Sequence, residues 1–244
     1  MFDNPKWTWA TALTLRILRR PGNLAIVTND ELADQIKRSG GEAIVLHDLI
    51  EVYKDRSSEQ LDDADLDRQL SNHSFVLVPL TYAYDEPLNE LFEAARLTPE
   101  VKWAYTGKAP KEVREQAPDN IHFSGFVSKQ DYMRLLSRAL AVVAPTTSES
   151  TMQRAGYEAL SASKPLMTTA TRVLIDYFGD AAIAAPVTGV GFAQGIRTLL
   201  ANQGDFTSRM TNLREAKLSD QETALQRLRS WCSSIDLTIS ERAH

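Results

Sequence analysis

The chain has 244 residues, of which 43% are hydrophobic and 24% charged, so it is long enough for a folded protein of one or two domains. Its net charge of −5 argues against a nucleic-acid-binding protein, which usually carries a surplus of basic residues. The single cysteine excludes a disulfide within the chain, and no apolar run approaches the roughly 18 residues of a transmembrane segment. With no signal-peptide pattern at the N-terminus, a cytoplasmic location is predicted.

Residues 1–50 predict a partial N-terminal α/β domain. A helix is predicted at residues 5–20, where apolar side chains recur at helical spacing before an arginine-rich turn. Such a helix also suits peripheral contact with an anionic membrane, although packing on a sheet is the simpler interpretation. A strand, a helix and a strand are then predicted at residues 23–28, 29–39 and 43–46, which together form a β-α-β unit.

Residues 51–73 are strongly polar and predict a linker with about one helical turn. The segment contains four aspartates at close spacing: Asp62, Asp63, Asp65 and Asp67. Because it lacks the glycine and the terminal glutamate of a calcium loop, we expect a solvated acidic surface here and no metal site.

Residues 74–203 show a regular alternation of short apolar runs and amphipathic stretches. Strands are predicted at residues 75–80, 101–105, 121–124, 141–144, 166–169 and 181–185, with helices between them and at 189–201. This alternation predicts a doubly wound parallel sheet of the Rossmann-like kind, covered by helices on both faces. Residues 204–244 predict a long charged helix and a tail.

The candidate site lies in the loops beyond the carboxyl ends of these strands, where ligands of such sheets bind. One of these loops, after the strand at 141–144, is rich in hydroxyl groups and leads into a helix. Its unpaired N–H groups and the helix dipole favour an anion, with Ser150 or Thr151 as a cap or as a donor to that anion. An ordinary capped turn has the same local pattern, so the turn alone does not decide between binding and structure.

The order of motifs over residues 120–166 resembles the donor-binding half of GT-B glycosyltransferases, most closely family 4. The motifs are the strand and loop at residues 120–127, the sequence Tyr-Glu-Ala-Leu at 157–160 and Ser-Lys-Pro-Leu at 163–166. The likeness extends from about residue 74 to residue 201. It implies the C-terminal domain of a GT-B fold behind a shortened N-terminal domain. UDP-sugar epimerases share this architecture.

The resemblance implies a site for a nucleoside-diphosphate sugar, with no cofactor and no obligatory metal. In the family a glycine-valine loop contacts the base, and it corresponds here to Gly125, Phe126 and Val127. Glu158 matches the glutamate that binds the ribose hydroxyls, a role that suits a carboxylate because it accepts two hydrogen bonds from a vicinal diol.

Ser150, Thr151 and Met152 match the family's phosphate-facing turn. Gly107 and Lys108 are further candidates for the diphosphate, with Lys108 or Arg154 as a substitute for the family's basic residues. Glu149 is the local candidate for contacting the transferred sugar and is the candidate catalytic residue.

Three departures from the family pattern stand against this interpretation. The family's first glutamate is replaced by Ser150, with Glu149 one place away. The loop at residues 79–86 contains no arginine or lysine, although the family usually places both there to neutralise the phosphates. The N-terminal domain is short, so its two strands leave sheet surface uncovered unless a partner chain, a second copy or a longer polypeptide completes it.

Three functions therefore stay open. The first is a glycosyltransferase, or its donor-binding part, with an unspecified acceptor. The second is a catalytically degenerate GT-B protein that acts as a binding or partner subunit, which the missing basic pair favours. The third is a UDP-sugar epimerase, which needs carboxylates and a histidine at an interdomain cleft. The candidate histidines are His47, His73 and His122, of which His122 within a strand favours a structural role.

Overall fold

A computed structural model describes residues 8–51, 53–71 and 75–242 of the chain. The chain divides into two compact units, Met1–Leu49 with Ala216–His244 and Ile50–Glu215, here called the first and the second unit. Within the described ranges, no helix has the length and apolar character needed to cross a membrane.

The first unit contains the predicted β-α-β arrangement. Its elements are α1 (Thr8–Leu18), β1 (Leu24–Val27), α2 (Asp30–Arg38) and β2 (Glu42–Val45). Asn29 caps α2 by accepting a hydrogen bond from the backbone N–H of Leu32 at 2.9 Å, and Ala33 and Ile36 form the buried face of the helix. Strands β1 and β2 pair in parallel and make a sheet of two strands in the part of the chain that is described.

The described residues of the second unit form six strands and most of the helices. The strands are β3 (Phe75–Pro79), β4 (Lys102–Thr106), β5 (Ile121–Gly125), β6 (Ala141–Ala144), β7 (Leu166–Thr169) and β8 (Ala182–Ala185). The helices are α3 (Ala64–Ser71), α4 (Leu88–Leu97), α5 (Lys111–Gln116), α6 (Lys129–Arg138), α7 (Arg154–Ser161), α8 (Arg172–Phe178) and α9 (Gly189–Ala201). The last helix, α10 (Gln203–Arg242), starts in the second unit.

The six strands form one parallel sheet in the order β5-β4-β3-β6-β7-β8. This order confirms the predicted doubly wound topology, in which the chain reverses direction across the sheet between β3 and β6. Alternate side chains enter separate core clusters, with Leu77 and Val142 in one and Val76 and Val143 in the other. The central strands are therefore buried on both faces, as their continuous apolar sequences require.

The predicted linker at residues 51–73 differs from the structure, which places its described part in the second unit. It forms helix α3, of two turns rather than one, and buries Leu61, Leu66 and Leu70 in the core. The charged residues between these leucines form ion pairs, including Arg138 with Asp67 at 2.6 Å. The segment packs against the core because its few leucines lie on one side of the segment. The many charged residues between them hid this pattern in the sequence.

Three of the four aspartates of this segment lie on an exposed surface, as predicted: Asp62, Asp63 and Asp65. Asp62 pairs with Arg134 at 2.8 Å, and Asp67 differs from the prediction because it is only 17% exposed. Asp63 accepts hydrogen bonds from two backbone N–H groups at the start of α3, both at 3.0 Å. Within the described ranges, no group of acidic, histidine or cysteine side chains is arranged to hold a metal ion.

Candidate functional site

The candidate site lies at the point where the strand order reverses. The loops after β3 (residues 80–87) and β6 (residues 145–153) flank this point, and the loops after β4 and β5 lie on the β3 side. Parallel strands end at the same edge of the sheet, so these four loops share that edge.

The loop after β3 is closed by its own carboxylate. Glu86 accepts hydrogen bonds from the backbone N–H of Thr81 at 2.9 Å and of Ala83 at 3.0 Å, and from the Thr81 hydroxyl at 3.0 Å. Backbone N–H groups at a strand end are natural anion donors. In this chain the carboxylate of Glu86 therefore occupies the backbone donors of the loop in which the family usually has an arginine and a lysine.

Asp85 joins the loop after β3 to the loop after β6. Its carboxylate accepts a hydrogen bond from the Thr146 hydroxyl at 2.7 Å, and its backbone carbonyl accepts one from the N–H of Thr147 at 2.8 Å. The buried Thr169 hydroxyl donates to the Thr146 carbonyl at 2.7 Å, which fixes the start of the second loop from β7. The two loops that flank the reversal are thus held together by specific hydrogen bonds.

The turn before α7 is formed by hydroxyl groups, but it does not cap the helix. Thr151 donates to the Ser148 hydroxyl at 2.7 Å, while Ser150, Thr151 and Met152 are partly exposed and Glu149 is exposed. Helix α7 begins at Arg154, with Gln153 in the cap position and no side-chain cap hydrogen bond. The prediction that Ser150 or Thr151 caps the helix is wrong, because the helix starts three residues after Thr151.

Glu158 lies on α7 with both carboxylate oxygens in contact with other side chains. Its Oε2 accepts a hydrogen bond from the Tyr132 hydroxyl at 2.5 Å, and its Oε1 accepts one from Nε of Arg154 at 3.1 Å. The carboxylate side chain is 29% exposed, so it is not enclosed in the core that its neighbours Tyr157 and Ala159 enter. Burial, and then the charge of Glu158, raise the pKa of Tyr132, so this hydroxyl remains a donor at neutral pH.

Gly107 and Gly125 are brought together at the ends of β4 and β5, where the N–H of Gly107 donates to the Gly125 carbonyl at 2.9 Å. Gly107 has φ +88°, and a Cβ atom there would lie 2.0 Å from the Leu80 carbonyl oxygen. Only glycine fits this close contact. Lys108 and Phe126 point into solvent, Phe126 with 90% exposure, whereas Val127 packs against the core.

The structure describes two of the three histidine candidates, His47 and His122. His122 on β5 hydrogen-bonds through Nδ1 to Gln69 at 3.1 Å. His47 belongs to the first unit, where burial lowers its pKa to about 4. His73 lies outside the described residues.

The sequence did not indicate the partners of the site residues. Tyr132 is 26 positions from Glu158, so no local pattern pairs them. The loop after β3 was recognised as lacking basic residues, but nothing in its sequence indicated that Glu86 folds back onto the backbone.

Comparison with known proteins finds a family model that matches part of the chain. Residues 83–202 match the family Glycosyl transferases group 1. None of the curated protein sequences gives a significant match.

Solved structures of several glycosyltransferases are similar in fold. Sucrose-phosphate synthase from Thermosynechococcus elongatus superposes with a TM-score of 0.73 at 16% identity, over 96% of this chain and 64% of that protein. Anabaena HepE in complex with UDP-glucose gives a TM-score of 0.68 at 20% identity, over 98% and 70% of the two chains. Trehalose-phosphate synthase from Burkholderia vietnamiensis gives 0.63 at 13% identity, over 91% and 62%.

These structures confirm the fold that the sequence predicted, namely the Rossmann-like architecture of GT-B proteins. The present chain spans less than two thirds of the length of sucrose-phosphate synthase, namely 64%.

Proposed function

We propose that this chain, whose residues 83–202 match the group 1 glycosyl transferases, transfers a sugar from a nucleoside-diphosphate sugar to an acceptor or forms the donor-binding part of such an enzyme. The observation that carries this proposal is the position of Glu158. It is a partly exposed carboxylate on the helix that follows the strand reversal, held in place by Tyr132.

Each part of the donor has a candidate site in this proposal. Glu158 holds the ribose hydroxyls, because a carboxylate has enough lone pairs to accept from a diol while it keeps its bond to Tyr132. The base lies against the loop of Gly125, Phe126 and Val127. The diphosphate lies near the helix start and is contacted by residues of two loops: Gly107, Lys108, Ser150, Thr151 and Met152.

In the transfer step the bond between the anomeric carbon and the diphosphate oxygen breaks, and a new bond forms from that carbon to the acceptor oxygen. The acceptor hydroxyl releases its proton to solvent, and the nucleoside diphosphate leaves with the electron pair of the broken bond and hence with an additional negative charge. The N-terminus of α7, which has no side-chain cap, is placed to stabilise that charge through the helix dipole. Glu149, exposed in the preceding turn, is the candidate carboxylate beside the sugar.

Calorimetry with UDP, UDP-glucose and the corresponding guanosine and adenosine compounds tests the proposal. UDP is the first choice because it is bound in solved structures of HepE. We expect binding of at least one nucleotide and a loss of roughly tenfold or more for Glu158→Ala. Asp176→Ala is the matched control, because Asp176 forms the equivalent ion pair with Arg172 on α8. Absence of binding, or equal binding by Glu158→Ala, contradicts the proposal.

A second candidate function is a GT-B protein that binds a partner and does not catalyse. Two observations favour it: Glu86 occupies the amide groups of the loop after β3, and Ile26 on the two-stranded sheet is 53% exposed. Under this alternative a second copy or a partner chain covers the sheet. Light scattering distinguishes a self-associating protein from a monomer, and Ile26→Asp is expected to abolish self-association. A monomer that hydrolyses nucleotide sugars contradicts this alternative.

We place the protein in the cytoplasm, in peripheral contact with a membrane. Helix α1 exposes Leu13 by 51% and Ile17 by 45%, on the same helix as Arg16. Apolar side chains with a nearby cation suit an anionic lipid surface. Cosedimentation with anionic vesicles tests this placement, which fails if Leu13→Ser/Ile17→Ser binds the vesicles as well as the original protein.

A further inference from the structure

Arg154 occupies an unfavourable position for a cation in the free protein. It is the first residue of α7, whose first turn contains no acidic residue, and its side chain is 78% exposed. The helix dipole is positive at this end and disfavours a positive side chain. Its ion pair with Glu158, at 3.1 Å, has the arginine on the N-terminal side, which is the weaker order for such pairs. The helix alone therefore gives no reason for an arginine here.

Arg154 is also the one basic residue in the elements that flank the strand reversal. The loops after β3 and β6 and helix α7 are all described, and they contain no other lysine or arginine. The backbone donors of the loop after β3 are taken by Glu86. A diphosphate at the reversal consequently depends on Arg154, or on Lys108 from the loop after β4, for its counter-charge.

We infer that Arg154 is the counter-charge for the donor diphosphate and that it exchanges Glu158 for the diphosphate when the ribose binds. This inference rests on the proposed function. It names Arg154 as the residue that makes the proposed site specific for a diphosphate. A ribose hydroxyl takes the place of Arg154 at Oε1 of Glu158, while Tyr132 stays at Oε2. The released guanidinium then offers the diphosphate two parallel hydrogen bonds.

The geometry supports this exchange. Four residues along α7 separate Arg154 from Glu158 by about 6 Å, a spacing comparable with that between the ribose diol and the diphosphate of a nucleotide. The ion pair is exposed and hence weak, so it breaks easily. Tyr132, in contrast, packs against the core and keeps Glu158 oriented through its hydrogen bond while Arg154 moves.

The exchange predicts that ribose and diphosphate contacts are coupled. A nucleoside without phosphates breaks the Arg154–Glu158 pair and gives the arginine no new partner. UDP breaks the same pair and replaces it with a stronger one. Removal of the Arg154 charge should therefore weaken UDP binding without weakening uridine binding.

The experiment measures dissociation constants for UDP by calorimetry and for uridine by ligand-observed NMR, on the full chain. For Arg154→Gln we expect UDP affinity to fall roughly tenfold, or about 1.4 kcal/mol, with uridine affinity unchanged or slightly higher. Arg172→Gln is the matched control, because Arg172 is the first residue of α8 and pairs with Asp176 at 3.6 Å over the same four-residue spacing. It should change neither affinity. Thermal melting verifies that both variants are folded.

The other outcomes separate this inference from the proposed function. If the original protein binds UDP and Glu158→Ala does not, but Arg154→Gln binds UDP normally, the proposed function stands and the inference is overturned. An equal loss of UDP and uridine affinity in Arg154→Gln overturns it as well, since Arg154 would then act only by holding Glu158. If the original protein binds neither UDP nor other nucleotides, both fail.

Discussion

The two parallel sheets of this protein have the same β-α-β construction but differ in burial. In the six-stranded sheet, the residues of β6 and β7 are all buried. In the two-stranded sheet, Ala25 on β1 is buried, whereas all the residues of β2 are partly or fully exposed. Strand sequences that look alike therefore contribute differently to stability, because burial depends on how many neighbours cover each face.

The difference indicates which sheet can hold a site. The side chains of a binding site need to be held in place by neighbouring residues. At the carboxyl edge of the large sheet, hydrogen bonds among Asp85, Thr146 and Thr169 hold the loops in this way. In the described part of the small sheet, the corresponding apolar surface is still available to another molecule, as the exposure of Ile26 shows.

Matched truncations in the two sheets should give the largest contrast. Leu77 on β3 is fully buried, so Leu77→Ala should destabilise the second unit by about 3–4 kcal/mol through lost burial and a cavity. Ile26 on β1 is 53% exposed, and Ile26→Ala should cost less than about 1 kcal/mol. Urea unfolding with hydrogen exchange resolved by segment measures both. Equal costs would contradict the contrast in burial.

The sequence predicted the strands of both sheets well, because a run such as 141–144 is apolar throughout and bounded by clear turn signals. It could not provide the strand order, which depends on contacts far apart in the chain, nor the packing of Leu61, Leu66 and Leu70 within a charged segment. For the site, the position of Glu158 followed from resemblance. Its partner Tyr132 and the inward fold of Glu86 depend on the tertiary structure and could not be predicted.

A glycine in each unit tests how tightly the chain is fixed. Gly107 at the edge of the large sheet and Gly22 before β1 have similar φ angles, +88° and +82°. An added Cβ atom meets the Leu80 carbonyl oxygen at 2.0 Å in the first case and nothing within 4 Å in the second. Gly107→Ala should cost about 3 kcal/mol and Gly22→Ala about 1 kcal/mol. Thermal or urea unfolding measures the difference, and a cost for Gly22→Ala as large as that for Gly107→Ala would contradict it.

Acid should loosen the small sheet before the large one. Burial, and then the charge of Lys217, lower the pKa of His47 in the first unit from 6.5 to about 4. Between these values the unfolded state binds a proton that the folded state does not, so stability is present above pH 6.5 and is lost as the pH falls towards 4. Because the ring is partly exposed, we expect a loss of about 1–2 kcal/mol.

Hydrogen exchange of residues 24–45 against residues 75–106, at several pH values, measures this effect. His47→Gln is the control and should remove most of the pH dependence of the first segment. A fall in protection that is equal in both segments, or unchanged in His47→Gln, would show that other groups control acid stability.

The smallest effect that we predict is a gain in stability within the large sheet. Ser163, just before β7, has φ +51°, a left-handed conformation that costs a residue with a Cβ atom about 1 kcal/mol. Its buried hydroxyl has no hydrogen-bond partner among the described residues, which adds to the cost. Ser163→Gly removes both terms and loses part of the gain through the greater freedom of glycine in the unfolded chain, so about 1 kcal/mol of stabilisation should remain.

Ser163→Ala separates the two causes, because it removes the hydroxyl and keeps the strained backbone. Calorimetric melting should place the alanine variant between the original protein and the glycine variant, whose melting temperature should rise by roughly 2–4 °C. If glycine lowers the melting temperature, the left-handed turn is not a source of strain. A higher melting temperature would show that Ser163 is strained, although it lies next to the well-buried sheet, in the connection between α7 and β7.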